Sequence, residues 1–447
     1  MRHHPRSQRL QRFLCGAAIV IAAAVAEAGG PTTFFVTTTA DAGPGSLREA
    51  IDQSNVNGFS VDTIAFSIPP AECSPEGVCT ISLASSLPLI TDGVVIDGTT
   101  QPASGTAPNN VCATASAPSR LRVQIDADSS VTVFHVASPD PTVIRGIAFV
   151  GGSGVVVDSF AAHHIACNHF GINAEGTALA SGNPQITHVG FDFGAGGVVV
   201  GTDGDGVEDV AERNLFGGNF TGIYINANSS NTVAGNWFGL AADGTTVLGV
   251  REGVLIRQSS SSNLVGSNLD GVSDHVERNV FAGVSGFSSS GINFPVFTGG
   301  TGNRVVGNWF GVDAYGQAAP GEIGIALTDP GAGTVIERNW FANHSVAALA
   351  IGGSSGLEPS GLNCFEANAA AVVHDGSAVA VDLAGNWWGD ASGPAGIGPG
   401  SGDPIAVTGG GSVAFTPWLT AQARSCGAVF ADGFESAGLD RWSSSQP

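Results

Sequence analysis

The 447-residue chain contains no lysine, one methionine and two tyrosines, and only 12% of its residues are charged. An average soluble chain has about 25% charged residues. Without lysine, a lyase-type site would have to take its cationic base from one of 16 arginines. Positive charge as a whole is scarce: 38 acidic residues leave a net charge of −22. Such a surface repels phosphate backbones and excludes nucleic acid as a partner. It also disfavours bare anionic membranes and polysaccharides unless a cation bridges them. Beyond the N-terminal leader no segment reaches 18 uninterrupted apolar residues, so the mature chain has no membrane span. Helical periodicity is missing after about residue 56, which excludes helical-repeat arrays, and there is no periodic leucine to suggest leucine-rich repeats.

What is present begins with an export leader. Four arginines (Arg2, Arg6, Arg9, Arg12) precede an apolar run from Phe13 to Val25. Ala26-Glu27-Ala28 then offers small residues at the −3 and −1 positions of a cut. Residues 1–28 are read as a signal peptide, whose removal shifts the net charge to −25 by taking four Arg and one Glu. The mature protein is expected outside the cytoplasm: extracellular, periplasmic or on the cell surface. Six cysteines remain, an even number that favours disulfides in an exported chain. Cys73 and Cys79 flank a turn-like insert and are expected to pair. Cys112, Cys167, Cys364 and Cys426 leave three pairings open. Their spacing does not suit zinc, and no histidine cluster accompanies them.

The organising signal is Asn-x-aromatic. It occurs as Asn168 with Phe170, Asn214 with Phe216, Asn236 with Phe238 and Asn279 with Phe281. It returns as Asn308 with Phe310, Asn339 with Phe341, Asn363 with Phe365 and Asn386 with Trp388. The steps between the asparagines are 46, 22, 43, 29, 31, 24 and 23 residues. Recurrence in this range indicates a solenoid. The runs between the marks, such as Gly222–Ile225 and Gly324–Leu327, are short, β-type and bounded by Gly, Ser, Asn or Asp. A rung of about 22 residues accommodates three short strands, stacked about 4.8 Å from the next rung. Asn suits a left-handed turn position and stacks into amide ladders, and the aromatic two residues on faces the same side, inside the coil. All eight pairs are read as a structural ladder.

A tighter repeat aligns Val200–Asn214 with Val265–Asn279, at an offset of 65. Both contain an acidic Gly turn. Asp203, Asp205 and Asp209 place oxygen donors on near-alternate residues, with Val207 offering a carbonyl, and the second copy keeps Asn268, Asp270 and Asp274. Oxygen-only donors in a Gly turn suit calcium, the one cation expected here. Glu-Arg-Asn ends both copies and recurs at Glu337–Asn339, so Arg213, Arg278 and Arg338 are read as a surface charge ladder. His163-His164, His169 and His188 form the one histidine-rich stretch. Adjacent histidines point to opposite faces of a strand, and His169 is expected to face solvent. Asp126 and Asp128 with Arg122 or Arg145 could be assembled into the triple an esterase-like groove needs, although any acidic chain offers such triples.

Two end regions carry a family resemblance. Phe34–Ile51, with Gly-Ser-Leu-Arg-Glu-Ala at 45–50, resembles the CSLREA-type leader of bacterial surface and secreted proteins, with Gly45 in place of its Cys. Leu87–Pro102, Asn236–Gly244, Asn308–Gly316 and Asn386–Pro394 are similar to rungs of the same repeat family. The resemblance implies an all-β, right-handed parallel β-helix with a short N-terminal helical cap. Independently of it, Ser46–Asn55 is the best helix candidate, with Ser46 as cap and Glu49 completing a capping box. Val429–Trp442 resembles a short terminal tag of exported Gram-negative proteins. The expected organisation is leader 1–28, cap and first strands 29–70, β-helix 71–420 and tail 421–447.

Three functional readings follow, the third being a calcium-stabilised structural protein whose melting temperature a chelator would lower. In the first, the chain is a monomeric, non-enzymatic β-helix with a binding, adhesive or cell-surface structural role and a glycan or cell-surface partner. In the second, it is a polysaccharide lyase, hydrolase or esterase working along one face. Asn-Thr-Asp, paired Asp-Asp and Gly-His-Gly, the marks of pectin hydrolases, are absent from the sequence. Repetition of most candidate residues favours the first reading, and no catalytic residue is assigned.

Overall fold

The structure is a computed structural model that describes residues 30–426, apart from 59–60, 104–109, 181–186, 192–193, 195, 219–220, 258–259, 285–295, 298, 328, 353–355, 376–378 and 424–425. The leader at 1–28 and the tag-like segment at 429–442 lie outside the described residues.

Alternating apolar residues and β-branched side chains make short strands, and the strands of the large sheets pair in parallel. A first sheet of ten strands runs from Thr33–Val36 to Val335–Glu337. A second of ten runs from Cys79–Leu83 to Cys364–Glu366. A third holds six strands from Thr132–Val136 to Val296–Phe297. Towards the C-terminus a five-stranded group, including Ile323–Leu327 and Gly402–Val407, takes the third position in each turn. The chain visits the sheets in rotation, which makes the fold a parallel β-helix. Ile96, Ile144, Ile165, Val200, Val233 and Val265 are consecutive register neighbours on the first sheet and are buried inside the coil.

The helix at Leu47–Asn55 closes the N-terminal end. Ser46 Oγ accepts the Glu49 amide, and Glu49 accepts from Gly45 N at 2.6 Å, one residue before the cap itself. Leu47, Ala50 and Ile51 are buried against the first strands. The core of an open solenoid end is thereby covered.

The Asn-x-aromatic pairs form two columns. Each asparagine from 168 to 363 donates Nδ2–H to the Oδ1 of the next, at 2.9 to 3.2 Å. That same oxygen accepts the preceding asparagine's backbone N–H at 2.7 to 3.3 Å. All eight asparagines are fully buried. The aromatic column starts one rung earlier than the motif, at Phe149, which stacks on Phe170. It continues through Phe216, Phe238, Phe281, Phe310, Phe341 and Phe365, with neighbouring centroids 4.6 to 5.3 Å apart. Trp388 ends it, 4.9 Å from Phe365. Phe238, Phe281, Phe310 and Phe341 are buried in the core, as the ladder reading expects of them. One part of that reading needs correction: the left-handed residue is not the asparagine. It falls one position earlier, at Cys167, Gly235, Gly307, Arg338, Leu362 and Gly385. Asn214 and Asn279 alone of the eight lack it, because the acidic loops lead into them.

Disulfides join Cys73–Cys79, Cys112–Cys167 and Cys364–Cys426. Three hairpins, bridged at Ile172–Leu179, Leu240–Val247 and Val312–Ala318, fold over the outer face of the second sheet. Ala242 N to Gly176 O at 2.7 Å and Ala314 N to Gly244 O at 3.0 Å stack them on each other. Cys426, bonded to Cys364, joins the hydrophobic cluster on this face that includes Trp309, Trp340 and Val280. This outer layer buries Trp309 and Trp340 and half-buries Trp237 and Trp387, which the ladder motif places outside the coil.

Candidate functional site

The tighter sequence repeat falls on the corner between the first sheet and the second. Two acidic loops stand on that corner. Loop 1 follows Val199–Gly201 and loop 2 follows Leu264–Gly266. One plain rung, with strand Thr232–Ala234, lies between them.

The loops are built alike. Asp203 and Asn268 each accept the N–H two residues on, at 3.2 and 2.8 Å, and Asp205 and Asp270 do the same at 2.7 and 2.8 Å. Asp209 and Asp274 accept the Gly206 and Gly271 amides, at 3.2 and 3.1 Å. Glu212 and Glu277 close each loop by accepting the amides of Asp203 and Asn268, both at 3.1 Å. Left-handed residues fall at matching places: 204 and 269, 206 and 271, 208 and 273. Burial raises the proton affinity of Glu212 above the usual carboxylate range, opposed by His164; burial does the same for Glu277, opposed by Ser267.

Loop 1 sets two overlapping groups of donors together. Oxygens of Asp203, Asp205 and Asp209 lie within 4.8 Å of one another, and so do donor atoms of His164, Asp203 and Glu212. The Arg145–Asp97 ion pair, 2.7 Å long, lies nearby, and the charges of Glu208 and Glu212 also stabilise the Arg145 cation. In loop 2 the corresponding residue is the exposed Asn268, whose Nδ2 donates to Asp270 Oδ2 at 3.1 Å.

Three further expectations need correction. Arg213 and Arg278 do not form a surface charge ladder with Arg338. Their guanidinium groups lie 4.1 Å over the Trp237 ring and 3.9 Å over the Trp309 ring, where burial lowers both pKa values to about 10; only Arg338 is exposed. His169 does not face solvent. The first hairpin covers it, its ring meets Ser119 Oγ at 2.8 Å and Asn173 O at 3.0 Å, and burial lowers its pKa to about 4. The esterase-like triple is not assembled. Arg122 is buried against Glu175 and Glu76 O, Arg145 is paired with Asp97, and Asp128 caps an exposed turn.

His163 and His164 do point apart: His163 is buried with its Nδ1 accepting Thr142 N–H, whereas His164 lies on the outer face. His188 lies inside the coil beside Phe170 and Phe216 with neither ring nitrogen bonded, and burial lowers its pKa to about 3. Sequence reading missed a second buried ladder, Asn231–Asn263–Asn303, linked at 3.0 and 3.1 Å. Its signal is Asn-x-Val, at Asn231-Thr-Val, Asn263-Leu-Val and Asn303-Arg-Val.

Among the described residues no helix is long and apolar enough to cross a membrane. No protein-family model and no curated protein matches the chain. Among solved structures, ORF18 of Geobacillus virus E2 aligns with 80% of this chain at 12% identity and a TM-score of 0.30. The aligned part spans 58% of that protein's length. Similarity at this level carries no functional inference.

Proposed function

We propose that the protein is an exported β-helix scaffold that binds an acidic polymer or cell-surface glycan, through cations, along the corner bearing the two acidic loops. One observation carries this reading: two loops of the same backbone geometry set their carboxylates on one edge, while hairpins close the neighbouring outer face. The export leader and the CSLREA-like N-terminus support the extracellular setting. Calcium is the bridging ion this reading assigns to Asp203, Asp205 and Asp209.

The test is retention of the full chain on a panel of acidic and neutral polysaccharides with and without calcium, run beside assays for reducing-sugar and unsaturated-product release. Calcium-dependent retention without turnover is expected. Turnover at enzymatic rates would replace this reading with the second one, a polysaccharide-active enzyme. A specific observation favours that alternative: Glu212 holds its proton more tightly than usual beside Asp203, which gives two nearby carboxyl groups with different environments.

A further inference from the structure

The same loop backbone is used twice, but only one copy has a nitrogen donor beside it. His164 is the register neighbour of Val199, on the strand that launches loop 1. For loop 2 the equivalent neighbour of Leu264 is Thr232. Asp203 in loop 1 likewise becomes Asn268 in loop 2, while the closing carboxylate is kept as Glu277. Loop 2 retains every feature that shapes the backbone and has lost two of the three donors.

We propose that His164, Asp203 and Glu212 form a binding site for a divalent transition-metal ion of the zinc class, absent from loop 2. The three donors come from different places in the fold. His164 is set by sheet register, and Asp203 and Glu212 sit at the two ends of one loop, held together by the 3.1 Å bond from Asp203 N to Glu212 Oε2. The other oxygen of that carboxylate, Oε1, lies 3.9 Å from His164 Nε2. This is too long for a hydrogen bond. It is close to the separation of about 3.4 Å between two ligands of a tetrahedral ion with bonds of about 2.1 Å. The His164 and Glu212 side chains are 19% and 18% exposed, so an ion between them is partly shielded and yet reachable.

A mixed set of one imidazole and two carboxylates differs from the oxygen-only set expected to prefer calcium. His164 Nε2 meets Gly201 O at 2.7 Å. Binding requires the ring proton to move to Nδ1 and the ion to take the place of the proton shared with Gly201. Three protein ligands leave a fourth position open to water or to an oxygen of an incoming ligand. The inference holds whether or not the loops bind a polymer.

Zinc titration by calorimetry on the full chain, with cobalt absorption as a second readout, tests it. Loss of one ion per chain, or at least tenfold weaker zinc binding, is expected for His164→Ala. Asp203→Asn should reproduce the loss with the fold intact, because loop 2 already folds with asparagine there. Asp270→Asn should leave zinc binding unchanged, and the visible cobalt band should disappear with His164. Unchanged isotherms for both His164→Ala and Asp203→Asn would overturn the site, as would an equal loss in Asp270→Asn. Calcium binding that survives His164→Ala would leave the oxygen-only position standing on its own, separating the two readings.

Discussion

Loop 1, Val200–Asn214, and loop 2, Val265–Asn279, are one backbone carrying two kinds of chemistry. What they share builds the shape: side-chain acceptors at matching offsets, left-handed residues at matching places, a closing Glu, an Arg laid on a Trp and an Asn that enters the ladder. What differs concerns charge. Loop 1 holds Asp203, Asp205, Glu208, Asp209 and Glu212, whereas loop 2 holds Asp270, Asp274 and Glu277. Asn268 gives its amide to Asp270, so loop 2 holds a hydrogen bond where loop 1 has facing carboxylates. Shape and ligand chemistry therefore rest on separable residues.

The strongest way to break this pairing is to cut the rung between the loops. Asn236 donates to Val200 O, Ala234 O and Asn279 Oδ1, and accepts from the backbone and side chain of Asn214. Asn236→Ala strands several buried groups and is expected to cost about 3–5 kcal/mol in urea denaturation. A loss under about 1 kcal/mol would show that the ladder does not tie the loops together.

Next come the arginine–tryptophan stacks. Arg213→Ala and Arg278→Ala should each cost about 1–2 kcal/mol, since both cations are partly desolvated. Arg213 also bonds Gly235 O at 3.1 Å through Nε, whereas Arg278 Nε is buried without a hydrogen-bond partner. The Arg213 variant should therefore lose more, and equal losses would leave the stacking term dominant.

A smaller contrast lies in the backbone. Leu269 has φ +62°, where loop 1 has Gly204. Leu269→Gly is expected to stabilise by up to about 1 kcal/mol. Gly204→Ala should destabilise, because its Cβ would also press on the Glu277 carboxylate. Paired thermal melts check the opposite signs.

The smallest effect concerns pH. Burial raises the pKa of Glu277, so the folded state holds this proton more tightly than the unfolded chain does. Stability contributed here is present below the unfolded carboxylate pKa and is lost as pH rises through the folded value. Glu277→Gln keeps an acceptor for Asn268 N and should flatten that fall, measured as urea midpoints from about pH 4 upwards. An unchanged slope would assign the fall to other groups.

The coil was legible because each rung needs the same local chemistry at the same corner. Asn-x-aromatic repeats for that reason, and its buried amides and stacked rings follow from it. Asn231, Asn263 and Asn303 do the same work at another corner, but Val follows them instead of an aromatic, so the mark is faint. The site was only half legible. The acidic turns are contiguous in sequence, whereas His164 joins them through register across a rung of irregular length. Cys112–Cys167 and Cys364–Cys426 depend on the same long-range register. His169 was misplaced because the sequence does not show that a hairpin folds back over the outer face.

The asparagine column continues without a break while the spacing of its members varies from 22 to 46 residues. The ladder therefore keeps its register while, among the described residues, added length leaves the coil at the two acidic loops and the hairpins. Such a molecule is a natural chassis for grafting. A foreign segment whose ends match those of loop 1 can replace Thr202–Glu212 without altering the rise of the coil, and two grafts at the two loop positions would stand on the same corner, two rungs apart, at a spacing set by the backbone.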